Sequence, residues 1–186
     1  MRIIVGRFKG SVIEAPRGVL SRPPLAIIRE SIFNILGDSV MDVSVLDLFA
    51  GSGSLAIEAL SRGAATAHFV DTARRCIEMM DRNLRKLGVS DTCSLSRQDA
   101  IEFVKRWQGE PFDLVFVDPP FLSGKVGQVL AALPGSEVLS KGATVVVRTH
   151  WRETVAIPDC LRVVKRRKFG ESVVQFMKMS QPEVKR

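Results

Sequence analysis

The residues with the clearest chemical potential in this chain form the loop Asp118-Pro119-Pro120-Phe121, directly after the apolar run 112–117. Such a run predicts a buried strand, so the loop lies at a strand end. The prolines fix φ and lack N–H donors, which makes the loop rigid and leaves its carbonyls free to accept hydrogen bonds. Asp118 and the Pro119 carbonyl could accept both hydrogens of an exocyclic amino group, while Phe121 stacks on the base that carries it. A plain surface turn would explain the prolines but neither the acid nor the aromatic residue.

A second group of residues lies where the apolar run 45–48 meets Gly51 and Gly53. Apolar residues at helical spacing follow from Leu55, so the sequence predicts a strand, a tight turn and a helix. Glycine reaches positive φ at little cost and leaves the backbone open to a ligand. Because unpaired N–H groups at a helix start favour a nucleotide or a carboxylate, the turn predicts a site for a nucleoside-type cofactor.

Three residues bear on which cofactor this is. Asp71 ends the next apolar run, about 20 residues after the turn, where an acid holds the ribose of either NAD or S-adenosylmethionine. Ala56 stands where a dinucleotide fold would place its third glycine. Asp47 would repel a pyrophosphate but could accept hydrogen bonds from the ammonium group of an amino acid. Since S-adenosylmethionine carries such a group, we expect it as the cofactor, and an NAD-dependent oxidoreductase is the disfavoured alternative.

The elements that must position these residues alternate between strands and helices from residue 43 onwards. This alternation predicts an α/β fold with a doubly wound, mostly parallel seven-stranded sheet, closed by an antiparallel hairpin over 161–179. A short basic β-hairpin, with strands over 2–5 and 11–14, and a helix from Pro23 to Gly37 precede the sheet. Ligands in such sheets gather at the carboxyl ends of the strands. The acids that end predicted strands are Asp47, Asp71, Asp99 and Asp118.

Length and composition set broader bounds. The 186 residues suit one domain over 1–186, with a basic extension over 1–22 and a catalytic core over 23–180. No apolar run has the length of a membrane span, and the N-terminus lacks the apolar stretch of a signal peptide, so we expect a soluble, cytoplasmic and monomeric protein with no membrane association. The three cysteines are widely spaced, which predicts reduced thiols and neither a disulfide framework nor a metal site.

The net charge of +7 favours a polyanionic partner, and with a nucleoside-type site this partner is expected to be nucleic acid. The chain has no tyrosine and little aromatic content other than phenylalanine, so a broad stacking platform for single strands is not evident. The basic residues fall in two clusters, and the candidates for contact with RNA are Arg2, Arg7, Lys9, Arg22, Lys165, Arg166, Arg167 and Lys168.

The combined motifs resemble the class I S-adenosylmethionine-dependent methyltransferases that act on exocyclic amines. More narrowly, they resemble the bacterial 16S ribosomal RNA guanine-N2 methyltransferase family, the enzyme for guanine 966. The resemblance runs almost end to end, and its most specific runs are 46–64 and 116–121. The matching motifs are Met1-Arg-Ile-Ile-x-Gly-x-x-Lys9-Gly10, Arg22-Pro23, Arg29-Glu30-x-x-Phe33-Asn34, Leu46-Asp-Leu-Phe-Ala-Gly-Ser-Gly53, Glu58-Ala-Leu-Ser-Arg-Gly-Ala64, Asn83-Leu84, Phe116-Val-Asp-Pro-Pro-Phe121 and Lys168-Phe-Gly170.

This resemblance implies a Rossmann-like methyltransferase fold, with 16S rRNA or the assembled small subunit as substrate. It implies that Asp47 and the glycine turn with Phe49, Gly51 and Gly53 hold the methionine part of the cofactor. It further implies that Asp71 holds the ribose, that Asp99 with Ala100 holds the adenine, and that the loop 118–121 is catalytic and holds the flipped guanine.

The chain departs from the family pattern at Pro24–Ile27 and at Arg148, where a glutamate commonly follows the fifth strand. Alternatives that remain open are methylation of adenine N6 in RNA or DNA, methylation of a protein side-chain amide, and a non-catalytic RNA-binding ribosome assembly factor. His68 and His150 are interpreted as structural.

Overall fold

The computed structural model describes residues 1–15 and 23–180, with side chains from Ala26 onwards in the second range. Five helices and seven strands occur in these ranges. The helices are α1 (Pro23–Leu36), α2 (Ser54–Ser61), α3 (Arg74–Leu87), α4 (Ala100–Arg106) and α5 (Lys125–Ala132). The strands are β1 (Ser44–Leu48), β2 (Thr66–Asp71), β3 (Cys93–Arg97), β4 (Phe112–Val117), β5 (Leu139–His150), β6 (Leu161–Phe169) and β7 (Ser172–Met179).

The strands form a single sheet in the order β3-β2-β1-β4-β5-β7-β6. The five strands β1 to β5 run parallel, and β7 joins them antiparallel between β5 and β6. The predicted doubly wound sheet with its antiparallel C-terminal hairpin is therefore confirmed. The strand order reverses between β1 and β4, and the crevice at such a reversal is where α/β sheets bind ligands.

The central strands of the sheet are covered on both faces, which explains why β1 and β4 are mostly apolar and buried. Helices α1, α2 and α3 pack on one face through residues such as Phe33, Leu60 and Met80. Helices α4 and α5 pack on the other through Phe103 and Val129. Within the described ranges, no helix is long and apolar enough to cross a membrane.

The N-terminal hairpin is shorter than predicted. Antiparallel pairing is present, but it reduces to one bridge between Arg2 and Val12 in place of two full strands. The reason is a non-local partner: the carboxylate of Glu58 on α2 accepts hydrogen bonds from the backbone N–H groups of Ile4, at 2.9 Å, and Val5, at 3.0 Å. Because Glu58 accepts hydrogen bonds from these two N–H groups, the segment packs against α2 and does not continue as a β-hairpin.

Gly6 makes this docking possible, and its substitution is a test of it. Gly6 has a φ of +92°, and a Cβ atom there would overlap the backbone carbonyl of Ser61 at the end of α2. We expect Gly6→Ala to lower the free energy of unfolding by about 2–3 kcal/mol, because it combines positive-φ strain with a clash against backbone. Gly10→Ala is the matched control, since Gly10 also has a positive φ of +84° but nothing within 4 Å. Equal losses for the two variants in urea unfolding would contradict the docking argument.

Candidate functional site

The glycine turn between β1 and α2 has the backbone conformation that the sequence predicts. Gly51 and Gly53 have positive φ, of 56° and 73°, as predicted. Phe49 also has a positive φ, of 64°, which the sequence did not predict. At Gly53 a Cβ atom would lie 3.0 Å from the Phe69 ring, so this position needs glycine for both conformation and packing. At Gly51 the surroundings are open, and the missing side chain leaves space in front of the turn.

Asp71 ties this turn to the end of β2. Its carboxylate accepts hydrogen bonds from the N–H groups of Gly51, at 2.9 Å, and Ala73, at 2.8 Å, through different oxygens. Each carboxylate oxygen can accept a second hydrogen bond. Asp71 can therefore fix the turn and still receive ribose hydroxyl groups.

Asp47 is the most deeply buried acid at this edge of the sheet, with 2% of its surface exposed. It accepts a hydrogen bond from the N–H of Ala56 at 3.2 Å. Burial raises the pKa of Asp47 well above its usual range, and the neighbouring charges of Asp118 and Asp71 raise it further. This part of the site is therefore rich in carboxylates, which favours a ligand that brings positive charge.

Asp99 caps the start of α4, where its Oδ1 accepts hydrogen bonds from the N–H groups of Ile101 and Glu102. Its Oδ2 lies 3.7 Å from Nζ of Lys125, the first residue of α5. The same ammonium lies 5.5 Å from the centre of the Phe49 ring. Lys125 thus contacts two predicted cofactor-binding residues, Asp99 and Phe49. The sequence did not predict this role, because the three residues are distant in the chain and only the fold brings them together. Ala100 is buried, and its only polar groups are those of its backbone.

Asp118 stands beside Arg148 at the ends of β4 and β5. Val117 is paired with Val147 in the parallel register, so the next two residues are lateral neighbours. Nε of Arg148 donates to Oδ1 of Asp118 at 2.6 Å. Burial raises the pKa of Asp118, and the charge and hydrogen bond of Arg148 oppose this rise. The second oxygen of Asp118 has no partner among the described residues' hydrogen bonds, so it can accept from a ligand.

Phe121 contacts the guanidinium group of the same arginine, Arg148. The guanidinium carbon of Arg148 lies 4.7 Å from the centre of the Phe121 ring. One residue therefore orients both the acid and the aromatic side chain of the loop 118–121. The sequence places Arg148 after a strand ending at 147, but β5 continues to His150 because β7 pairs with it as far as the pair His150 and Ser172.

The two histidines have different surroundings. His68 is packed against Phe103 and Trp107 on the sheet, and burial lowers its pKa to about 4. This placement fits a structural role. His150 lies at the carboxyl edge of the sheet, with the centre of its ring 5.6 Å from that of Phe121.

The predicted RNA-contact residues in the described part of the chain are not brought together on one surface. The backbone N–H of Arg7 donates to the carbonyl of Ser61, at the far end of α2 from the glycine turn. This helix has eight residues and is about 12 Å long, so Arg7 lies well away from the cofactor site. Lys9 belongs to the same docked segment, and the Arg2 side chain donates to the carbonyl of Gly10. Arg22 lies outside the described residues.

The second basic cluster is divided between the two faces of β6, since successive residues of a strand point to opposite faces. Lys165 and Arg167 are paired with Phe176 and Val174, which belong to the core under α1–α3. Arg166 and Lys168 lie on the α4 and α5 face.

The chain is similar to known proteins over most of its length. The family model described as conserved hypothetical protein 95 matches residues 1–178. Ribosomal RNA small subunit methyltransferase D of Escherichia coli K12 is 32% identical, over 92% of this chain and 93% of that protein. The Bacillus subtilis candidate rRNA methyltransferase YlbH is 36% identical, over 86% of each chain. The solved structure of the candidate methyltransferase yhhF of Escherichia coli has a TM-score of 0.87 at 30% identity and covers 98% of this chain and 99% of its own. These similarities confirm the fold expected from the motifs.

Proposed function

Since the chain belongs to the conserved hypothetical protein 95 family, with ribosomal RNA small subunit methyltransferase D among its relatives, we propose that it methylates 16S rRNA. The donor is S-adenosylmethionine, and the acceptor is the exocyclic N2 amine of a guanine, guanine 966 by the family resemblance. The residues assigned to the cofactor are Asp47, Phe49, Gly51, Gly53, Asp71, Asp99 and Ala100.

One observation carries this proposal: the amine-binding loop and the glycine turn lie side by side at the strand-order reversal. Leu48 at the end of β1 is paired with Val117 at the end of β4. The next residues, Phe49 and Asp118, therefore begin two adjacent loops at the same edge of the sheet. A ligand at the turn and an amine held by Asp118 would be neighbours, which is the arrangement that group transfer requires.

The residues present fit this cofactor. Burial and the charges of Asp118 and Asp71 raise the pKa of Asp47. At Asp118, Arg148 opposes the effect of burial. A sulfonium and an ammonium group would bring positive charge to this surplus of carboxylates. When bound, S-adenosylmethionine supplies an electrophilic methyl group, so no strong base is needed to start the reaction.

The protein's part in the chemistry is to hold the amine. Arg148 occupies Oδ1 of Asp118 and so directs the other oxygen to one amine hydrogen, while the Pro119 carbonyl accepts the second. Two such hydrogen bonds draw the nitrogen lone pair out of conjugation with the ring and orient it towards the cofactor. After transfer, the carboxylate of Asp118 can take the proton that the nitrogen loses. Phe121 stacks on the base and helps to offset the few kcal/mol that flipping it out of the RNA costs.

The test is a methylation assay on ribosomal RNA that lacks the modification, as naked 16S rRNA and as assembled small subunits. Digestion of the product to nucleosides should give N2-methylguanosine, and the labelled position should be guanine 966. Methyladenosine as the product would overturn the guanine assignment. No methyl uptake by either substrate would overturn the proposed function.

A further inference from the structure

We propose that Trp151, Arg152 and Lys168 form a second RNA-contact site, on which a base neighbouring the flipped guanine stacks. We call these three residues the Trp151 platform. The inference rests on the proposed function and deepens it, because it states how RNA outside the target nucleotide is held.

The Trp151 platform is continuous with the catalytic loop. Trp151 directly follows β5 at the carboxyl edge of the sheet, and its backbone N–H donates to the carbonyl of Glu171 at 2.8 Å. The His150 ring bridges the two sites, 5.6 Å from Phe121 and 5.9 Å from Trp151, measured between ring centres. RNA that places one base against Phe121 therefore has nucleotides next to that base close to Trp151. Base-modifying enzymes read such flanking nucleotides.

The exposure of Trp151 is what needs an explanation. The residue is 45% exposed, although a tryptophan contributes most when its large apolar surface is covered. The other tryptophan of the chain, Trp107, packs against Phe103 and Phe112, and its indole N–H donates to the carbonyl of Glu110. Trp151 is instead held by its backbone with its ring presented to solvent. A nucleobase is a flat partner that would cover such a ring.

Two cations at the ring make nucleic acid the fitting partner. The Arg152 guanidinium carbon lies 4.9 Å and the Lys168 ammonium 5.1 Å from the ring centre, both on exposed side chains. Cation–π contacts at exposed sites are weaker than the stacking of a base on an aromatic ring. A base can therefore displace one cation from the ring, and the freed cation is then placed to contact a phosphate.

Nearby acids limit the path of the RNA backbone. Glu153 accepts a hydrogen bond from the backbone N–H of His150, and the exposed Glu171 carboxylate lies 3.7 Å from the His150 ring nitrogen. Phosphates would be repelled on that side. The backbone of the RNA should therefore run on the side of Lys168 and of Arg166, which lies on the same face of β6.

Direct RNA binding tests the Trp151 platform. The probes are small ribosomal subunits that lack the modification and a short unpaired RNA containing the target guanine. Trp151→Ala should weaken binding of either probe by about tenfold, while Trp151→Phe retains most of the affinity. Lys168→Ala should weaken binding. It should also reduce the slope of the logarithm of the binding constant against the logarithm of the salt concentration by about one, the loss of one phosphate contact. Lys165→Ala is the matched control, because it removes the same charge from the opposite face of β6 and should have the smaller effect.

Binding measured without cofactor keeps this test separate from that of the proposed function. Wild-type RNA affinity in Trp151→Ala, or equal losses for Lys165→Ala and Lys168→Ala, would overturn the platform even if methylation of guanine is observed. If no ribosomal substrate is methylated by the unmodified protein, the proposed function fails, and the same binding comparison still decides the platform. Thermal unfolding and binding of S-adenosylhomocysteine should be unchanged in Trp151→Ala, since the ring is exposed and lies outside the proposed cofactor residues.

Discussion

Asp118→Asn should reduce the rate constant of methyl transfer by about 100- to 1,000-fold while leaving S-adenosylhomocysteine affinity within about twofold. The reason is geometric. Nε of Arg148 donates to Oδ1 of Asp118 at 2.6 Å, so the single oxygen of an asparagine would face the arginine. Its NH2 group would then face the amine of the base, and two donors would oppose each other. We therefore expect Asp118→Asn to be at least as inactive as Asp118→Ala.

Asp113→Asn is the matched control for this prediction. Asp113 lies on the same strand but at its other end, where it accepts hydrogen bonds from Ser44 and Ser140. We expect this control to lower stability and to leave the rate constant of methyl transfer close to that of the unmodified protein. Single-turnover rates and calorimetry with S-adenosylhomocysteine measure the two quantities separately. A wild-type rate in Asp118→Asn would remove Asp118 from the chemistry.

Arg148→Met should lower kcat/KM at neutral pH by about tenfold or more and make the activity recover as the pH rises. Burial raises the pKa of Asp118, and Arg148 is the group that lowers it again. Without the arginine the pKa of Asp118 rises further, so a smaller fraction of it is ionised at neutral pH. The charge of Asp118 in turn helps to raise the pKa of Asp47 on β1.

Arg148→Lys separates charge from geometry. A lysine keeps the positive charge but lacks the planar guanidinium that stacks on Phe121 and donates through Nε. We expect the pH profile of Arg148→Lys to be close to that of the unmodified protein, and its kcat/KM to lie between those of the unmodified protein and Arg148→Met. The measurement is kcat/KM as a function of pH for the three proteins. A loss of activity in Arg148→Met that is the same at every pH would show that the arginine acts through packing alone.

These predictions rest on parts of the site that the sequence revealed to different degrees. The positions of Asp47, Asp71 and Asp118 at strand ends could be predicted because apolar runs and turn residues are local signals. The conformation of the glycine turn was predictable for the same reason. The role of Arg148 was not, because its distance from Asp118 is 30 residues in the chain and depends on which strands are neighbours.

The surface residues show the same limit. The sequence placed eight basic residues in two clusters. Of the seven that the structure describes, strand alternation on β6 and the docking of the N-terminal segment on α2 send some to different surfaces. A bulge between Val163 and Lys165 sets which face each later residue of β6 occupies. The composition also gave no sign of the proposed Trp151 platform, since the position of one exposed tryptophan beside the loop 118–121 is set by the fold.

The sequence by itself determined the alternation of strands and helices, the glycine turn, and the acids that end the strands. All of these follow from hydrophobic period and backbone preference within a few residues. The tertiary structure alone decided that the loop 118–121 and the glycine turn follow adjacent strands, that Arg148 holds Asp118, and that Glu58 holds the N-terminal segment. The physical reason is that strand order and register are set by contacts between distant segments, and no local pattern encodes them.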